Sequence, residues 1–428
     1  MTYILLGFLG LAVILFGCLF WDKPTLLIYG IILFCFVNDM LISFFAVPEA
    51  IRYVADLLSI YLMVIGVVMV FIRPWKLHAG IPIAIIGLLA LVAVASYCFN
   101  DYSIVSFGVG VFQFFRGFCF FIACICILQK EDVNRLMNLF LVAAFANLAV
   151  SLFEYFRYHA KWDNNGGLFG IIVGCNGKMN LYIVIVSVIV AVLYLHKKIS
   201  VVPAVGVLGS CLITATISEL KIYYLELILC IALVVLFSKP SKKTVAFVVG
   251  GGIAIWLAIL VLGELYPLFR DFFNLESMLE YATEDYGTSE GSVNRLSGVP
   301  MMLSDYLHTP MQKTFGLGLG NAHEGTAFYN QHEYLKYVYF YVSYVVTEMG
   351  LAGLLGLMSF FLINGVISIR FAFRDKENFP YYLISGVVSV FSIVFIIYDS
   401  SLITVTSYLL YFWLAVPYIM KKEQKVRV

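Results

Sequence analysis

Thirteen apolar runs of close to twenty residues follow one another along this chain, at about 3–20, 25–47, 51–72, 80–98, 104–128, 135–156, 179–195, 199–217, 220–238, 244–263, 345–369, 380–398 and 402–420. A helix rises 1.5 Å per residue, so about 20 residues cross the roughly 30 Å of hydrocarbon in a bilayer. The runs are continuously apolar and do not alternate every second residue, which excludes a transmembrane β-barrel. Composition agrees, with 62% hydrophobic and 12% charged residues, because a water-facing surface needs about twice that charged fraction. The expected fold class is all-α, a polytopic membrane protein of about 12–13 transmembrane helices with one large extracytoplasmic loop containing short amphipathic helices. Its parts are an N-terminal transmembrane bundle of about ten spans over 1–263, the loop over 264–336, and a C-terminal segment of about three spans over 337–428.

The first run has no Lys or Arg before it, so it reads as a retained span and not a cleaved signal peptide. None of the nine cysteines falls in the 264–336 loop. They give neither a disulfide framework nor a metal site, and buried thiols packing as small hydrophobes are expected. Lys23, Arg73, Lys76, Lys130, Arg135, Lys197, Lys198, Lys239, Lys242, Lys243, Arg370, Arg374, Lys376, Lys421, Lys422, Lys425 and Arg427 fall on one side of the span pattern, 17 of the 27 basic residues. By the positive-inside rule that side is the cytoplasm, which puts the C-terminus inside, and the N-terminus and the 264–336 loop outside. The net charge of +1 gives no reason to expect nucleic acid as a partner.

Polar residues at membrane depth narrow the search. Arg116 lies at the midpoint of the 104–128 span, where a guanidinium costs at least a few kcal/mol and faces an ion partner or a substrate anion. Near the expected outer boundary lie Arg52 and Asp56 at i,i+4, Glu154 and Arg157 at i,i+3, and Lys161, Lys178, Glu219, Lys221 and Asp399. Local ion pairs on single helix faces account for the spacings. A polar floor able to receive a phosphate-bearing lipid headgroup accounts for their shared depth. In Thr216-Ile217-Ser218-Glu219-Leu220-Lys221, Ser218 can cap the following span and Glu219 suits its first turn. Lys221 at the positive end of a helix makes sense only with an anionic partner or ligand. Glu226, seven residues after Glu219, extends that polar face.

Within the loop, Phe269, Phe272, Phe273 and Leu279 form one helical stripe, and Val293, Leu296, Val299 and Leu303 a second, with Arg295 beside it. Gly316-x-Gly318-x-Gly320 has no strand before it and no Lys-Ser/Thr after it, so a tight turn over the bundle is expected and not a nucleotide loop. His323 and His332 are candidate general bases, while His308 reads as a surface residue; no metal-ligand spacing occurs among them. Tyr334, Tyr337, Tyr339, Tyr341 and Tyr344 suit either an interfacial aromatic belt or stacking on sugar rings.

A dozen or so spans, the Ser218-Glu219-Leu220-Lys221 segment, an outer loop with Arg295 some twenty residues before Gly318 and Gly320, and Glu348-Met349-Gly350-Leu351-Ala352-Gly353 opening the next span together resemble the O-antigen polymerase and O-antigen ligase superfamily. Phe115-Arg116-Gly117, and Gly167-Leu168-Phe169-Gly170 through Asn180, resemble it more loosely. The layout covers most of the chain, the motifs about 150 residues. The resemblance implies an enzyme of the bacterial inner membrane that takes a glycan from undecaprenyl pyrophosphate on the outer face and passes it to a sugar hydroxyl, with no metal, nucleotide sugar or other cofactor. Lys221, where the family more often has Arg, and Arg295 are implied to hold the pyrophosphate. Arg116 is a third candidate for it, and Tyr334, Tyr337 and Asn321 are candidate glycan contacts. The family's His, followed by Asn about nine residues before Glu-x-Gly, would fall near Tyr339, where this chain has none. His332, sixteen residues before Glu348 and followed by Glu333, is the first choice of base, with His323 and Glu219 as alternatives.

Polymerisation of lipid-linked repeat units into O-antigen, capsule or exopolysaccharide is the leading expectation. Ligase-type transfer of a finished glycan to a lipid, as in lipopolysaccharide, or to a protein acceptor is the second. The rival of another class is a polysaccharide or lipid-linked-sugar transporter or flippase, which also accounts for many spans and for Arg116, although no internal repeat is visible. Besides the bilayer and the carrier-linked glycan, the polymerase reading brings a chain-length regulator and a flippase as expected partners.

Overall fold

The structure is a computed structural model of the chain, and it describes residues 20–72, 75–238, 242–265, 294–322, 340–398 and 400–424. Its helices are α1 (Pro24–Phe45), α2 (Tyr53–Ile72), α3 (Gly80–Phe99), α4 (Ile104–Ile127), α5 (Lys130–Tyr158), α6 (Cys175–Leu195), α7 (Val201–Ile217), α8 (Lys221–Phe237), α9 (Lys242–Leu265), α10 (Gly298–Met301), α11 (Pro310–Phe315), α12 (Tyr341–Arg374), α13 (Phe379–Tyr398) and α14 (Ser407–Met420). Each expected span from 25–47 onward coincides with one of them, and the run at 3–20 lies outside the described residues. Among the described residues, nine helices are long and apolar enough to cross a membrane. The chain is an all-α, multi-pass membrane protein.

One short helix, α14, is short for a reason visible in its surroundings. All of α14, only 14 residues long, is buried, packed against α4, α13 and α1. A helix enclosed by protein need not match the bilayer's thickness. The irregular stretch that precedes it, with a 3₁₀ turn at Ser401–Ile403, is tolerated because protein and not lipid surrounds it. By contrast α9 turns many apolar side chains outward, including Val245, Trp256 and Leu260, as a lipid-facing helix does.

The two ends of the bundle differ. At one end Trp75 and Lys76 pair antiparallel with Gln424 and Glu423. The Lys422 ammonium donates to the carbonyls of Cys126 (2.6 Å) and Leu128 (3.4 Å) where α4 finishes, a cation at the negative end of a helix. Lys76, Lys130 and Lys422, counted above on one side of the membrane, thus do share one end. The opposite end, the loop end, carries the interhelical polar contacts described below.

Of the two amphipathic stripes expected in the loop, the first lies outside the described residues, as does Val293. The second forms α10 and a π-helical turn, Met302–Tyr306. Its inward residues are Gly298, Met302 and then Leu307, with Val299 and Leu303 partly covered and Leu296 exposed. The apolar face is therefore rotated from the expected stripe, and the π turn, which adds a residue to the helical repeat, carries it from Met302 on to Leu307.

Candidate functional site

The loop end is organised by a break in α12. Gly350 sits at φ 64, ψ −167 inside that helix, a left-handed conformation that a side chain resists. The break frees the carbonyls before it, and the loop occupies them: Leu317 N–H donates to Thr347 O (2.7 Å) and Gly318 N–H to Glu348 O (3.2 Å). The Glu348 carboxylate, fully buried, accepts the N–H groups of Gly320 (2.7 Å) and Ala322 (3.3 Å). Gly320, at φ +82, lies so close to α4 that a Cβ there would stand 2.1 Å from Ser106 O. The expected tight turn over the bundle is present, and the Gly-x-Gly and Glu-x-Gly motifs are two halves of one clamp. Asn321 belongs to it: it is buried and donates to Leu317 O (2.9 Å).

Both expected local pairings give way to contacts between elements. Arg52 pairs not with Asp56 but with Asp39 of α1 (3.1 Å) and with Glu49 (3.3 Å). Asp39 also takes Lys178 from α6 (2.7 Å). Asp56 instead meets Arg116 (3.2 Å), so the ion-pair reading of that intramembrane arginine is the one present. Tyr408 of α14 donates to the same carboxylate (2.5 Å), and Arg116 Nε donates to Gln113 O (3.0 Å). Glu154 turns from Arg157 to accept the N–H groups of Gly166 (3.2 Å) and Gly167 (2.7 Å), while Arg157 lies 5.9 Å from the Tyr158 ring. A buried charge is satisfied best by the partner that can be buried with it, and i,i+3 or i,i+4 neighbours at a helix end remain wet. Tyr341 and Tyr344 correct the aromatic-belt and sugar-stacking readings for their positions. Both are buried and stack on each other at 5.7 Å.

The linker between α5 and α6 folds back into the bundle. Phe169, fully buried, packs on Phe36 and Tyr182, and Asn147 of α5 accepts the Leu168 N–H (3.0 Å). The linker's Asn165 accepts hydrogen bonds from Ser151 (2.6 Å) and Ser218 (2.7 Å) and donates to Ser151 O (3.0 Å). Ser218 therefore does not cap α8. It closes α7 and anchors that end to the linker.

Glu219 is not in a first turn either: it joins α7 to α8 with φ 58, a conformation rare outside glycine and concentrated at functional sites. Its Oε2 is buried with no hydrogen-bond partner among the described residues. Burial, opposed by Lys221 and reinforced by Asp163, raises its carboxyl to about 7. Lys221 then opens α8. Glu226, one heptad on, is buried and accepts a hydrogen bond from Asn180 of α6 (2.8 Å).

Arg295 precedes α10 in a turn tied by Asn294, whose side-chain oxygen accepts the N–H groups of Leu296 (3.0 Å) and Ser297 (2.6 Å). Its guanidinium lies over Phe340 (5.5 Å) and Tyr398 (5.1 Å). Tyr398 ends α13, a helix that packs along α6 and α8, so Arg295 and Lys221 both adjoin the α6–α8–α13 group. His323, His332, Tyr334, Tyr337 and Asp399 lie outside the described residues.

Sequence reasoning passed over Asp39, Asp163 and Asn165. An aspartate inside the apolar 25–47 run was a usable signal for Asp39, whereas Asp163 and Asn165 lie in a linker with no pattern to mark them. No protein-family model and no curated protein matches the sequence.

Proposed function

We propose that the loop end is the active site of a metal-independent membrane glycosyltransferase related to the O-antigen polymerases and ligases, which joins undecaprenyl-pyrophosphate-linked repeat units into a surface polysaccharide. The observation that carries the reading is the Ser218–Lys221 turn. It presents, from a left-handed backbone, a carboxylate with one oxygen unpartnered among the described residues, two residues from a lysine at the positive end of a helix. In the transfer, the acceptor hydroxyl oxygen bonds to the anomeric carbon as the bond from that carbon to the phosphate oxygen breaks. The hydroxyl proton passes to Glu219, and the diphosphate leaves with the electron pair. A carboxyl titrating at about 7 suits proton acceptance at neutral pH. Lys221, aided by the α8 N-terminus, and Arg295, placed over two rings, take the diphosphate charge. Arg116, paired with Asp56, braces the helices beneath.

The test is surface glycan resolved on a gel, in a deletion strain and in strains carrying Lys221→Ala or Arg295→Ala. The polymerase reading expects one repeat unit on its acceptor in place of a ladder. Carrier-linked polymer instead means a ligase. An intact ladder from both variants, present in the membrane at normal level, overturns the site.

A further inference from the structure

The turn that carries Glu219 is not held by its own helices alone. Ser218 is fixed to Asn165 of the inward-folded linker at 2.7 Å, and Asn165 is fixed in turn to Ser151 of α5. Two residues earlier in the same linker, Asp163 sits in a 3₁₀ turn, Trp162–Asn164. The first turn of α6 pins it there: Asn176 donates to its carboxylate (2.8 Å), and Gly174 N–H to its carbonyl (3.2 Å). One short segment therefore anchors the Glu219 turn through Asn165 and carries a second carboxylate two residues from that anchor.

We propose that Asp163 is a positioning residue for Glu219: with Asn165 it makes the α5–α6 linker a wall of the site and keeps a negative charge beside the carboxyl that accepts the proton. The inference rests on the reading of Glu219 as that acceptor. The charged groups acting on Glu219 are Lys221 from α8, which favours its ionised form, and Asp163 from the linker, which opposes it. Asp163 and three further charged groups, Glu154 of α5, Lys178 of α6 and Asp39 of α1, act on Cys175 at the start of α6. Asp163 is exposed, so its influence is screened, and its removal lowers the Glu219 midpoint. Function follows from that balance. Burial does most to raise the Glu219 carboxyl, and the linker aspartate offsets part of the opposing pull of Lys221, the cation needed for the diphosphate.

The experiment uses the full chain in lipid vesicles. The protonated-carboxyl infrared band is titrated in the wild type, Asp163→Asn and Asp163→Glu, with Glu219→Gln identifying the band, and glycan transfer is measured against pH on the same samples. The expected result is a lower midpoint for both band and transfer in Asp163→Asn, restored toward the wild type in Asp163→Glu. An unchanged band midpoint in folded Asp163→Asn overturns the inference while leaving Glu219 as acceptor. A band that moves with no change in the transfer profile supports the placement of Asp163 and removes Glu219 from the reaction. If Asp163→Asn fails to accumulate, Ser218→Ala tests the linker's placement against Glu219 by releasing the turn from Asn165. A lower midpoint then supports the inference, and an unchanged one overturns it.

Discussion

Asp56→Ala isolates the contact that decides what Arg116 does. The guanidinium and the carboxylate are 3.2 Å apart with side chains 9% and 0% exposed. At an effective dielectric of about 20 their attraction is about 5 kcal/mol, set against a desolvation cost of several kcal/mol per ion. Removing the carboxylate alone leaves a buried cation and takes the acceptor at 2.5 Å from Tyr408, whose hydroxyl retains Ser59 at 3.3 Å. The expected loss is about 3–5 kcal/mol. Replacing both partners with apolar residues of similar volume, Asp56→Leu with Arg116→Met, removes the cost along with the attraction, so the double variant should lie within about 1–2 kcal/mol of the wild type. The assay is chemical unfolding of the purified protein in mixed micelles for all members of the double-mutant cycle, with surface-glycan length scored in parallel. The double variant should make a ladder of normal length. Additive single losses would refute the pairing, and a stable double variant without polymer would refute the bracing role and return Arg116 to the substrate.

Glu219→Gln should abolish transfer without loss of protein from the membrane, and wild-type transfer should rise as pH increases through about 7. Stability should run the other way. The folded state holds this proton more tightly than the unfolded chain, so the Glu219 contribution is full below the ordinary carboxylate range and lost as pH rises through about 7, a dependence that pH-resolved unfolding will not show in Glu219→Gln. Gly320→Ala places a Cβ 2.1 Å from Ser106 O at φ +82, and thermal unfolding should register a loss of roughly 2–4 kcal/mol. Glu348→Gln keeps one acceptor for the Gly320 and Ala322 N–H groups and presents an amide to the other. It should cost roughly 1.5–3 kcal/mol by the same measurement, with faster hydrogen exchange at Gly320 and Ala322.

How much of this could be read in the chain depends on whether a residue's partner is local. The spans were legible because lipid imposes a length and a polarity on every helix that meets it, and α14 shows the same rule by exception: enclosed by protein, its helical part is shorter than the apolar run at 402–420. Charges were legible in depth but not in pairing. Arg52 and Asp56 share a helix face by spacing, yet each finds a partner from another element, since tertiary burial outweighs a wet local pair. The glycine turn was expected from composition. That Glu348 clamps it follows only from the break at Gly350, which no local pattern announces. Ser218-Glu219-Leu220-Lys221 stood out in the sequence, but its backbone did not: the left-handed Glu219 follows a serine held by the linker, through Asn165, from more than fifty residues away.

The central claim is that Glu219, Lys221 and Arg295 transfer a glycan from a lipid diphosphate. Its most direct test is to incubate the purified chain in vesicles with a polyprenyl-diphosphate-linked oligosaccharide and follow, by mass spectrometry, free polyprenyl diphosphate against lengthened glycan. One diphosphate is expected to be released for each glycan joined, at a rate lowered at least a hundredfold in Lys221→Ala and in Arg295→Ala, on the scale of about 3 kcal/mol for losing one charge stabiliser. Lengthening at the wild-type rate in both variants, or movement of the intact lipid-linked glycan across the vesicle membrane with no diphosphate released, would contradict it.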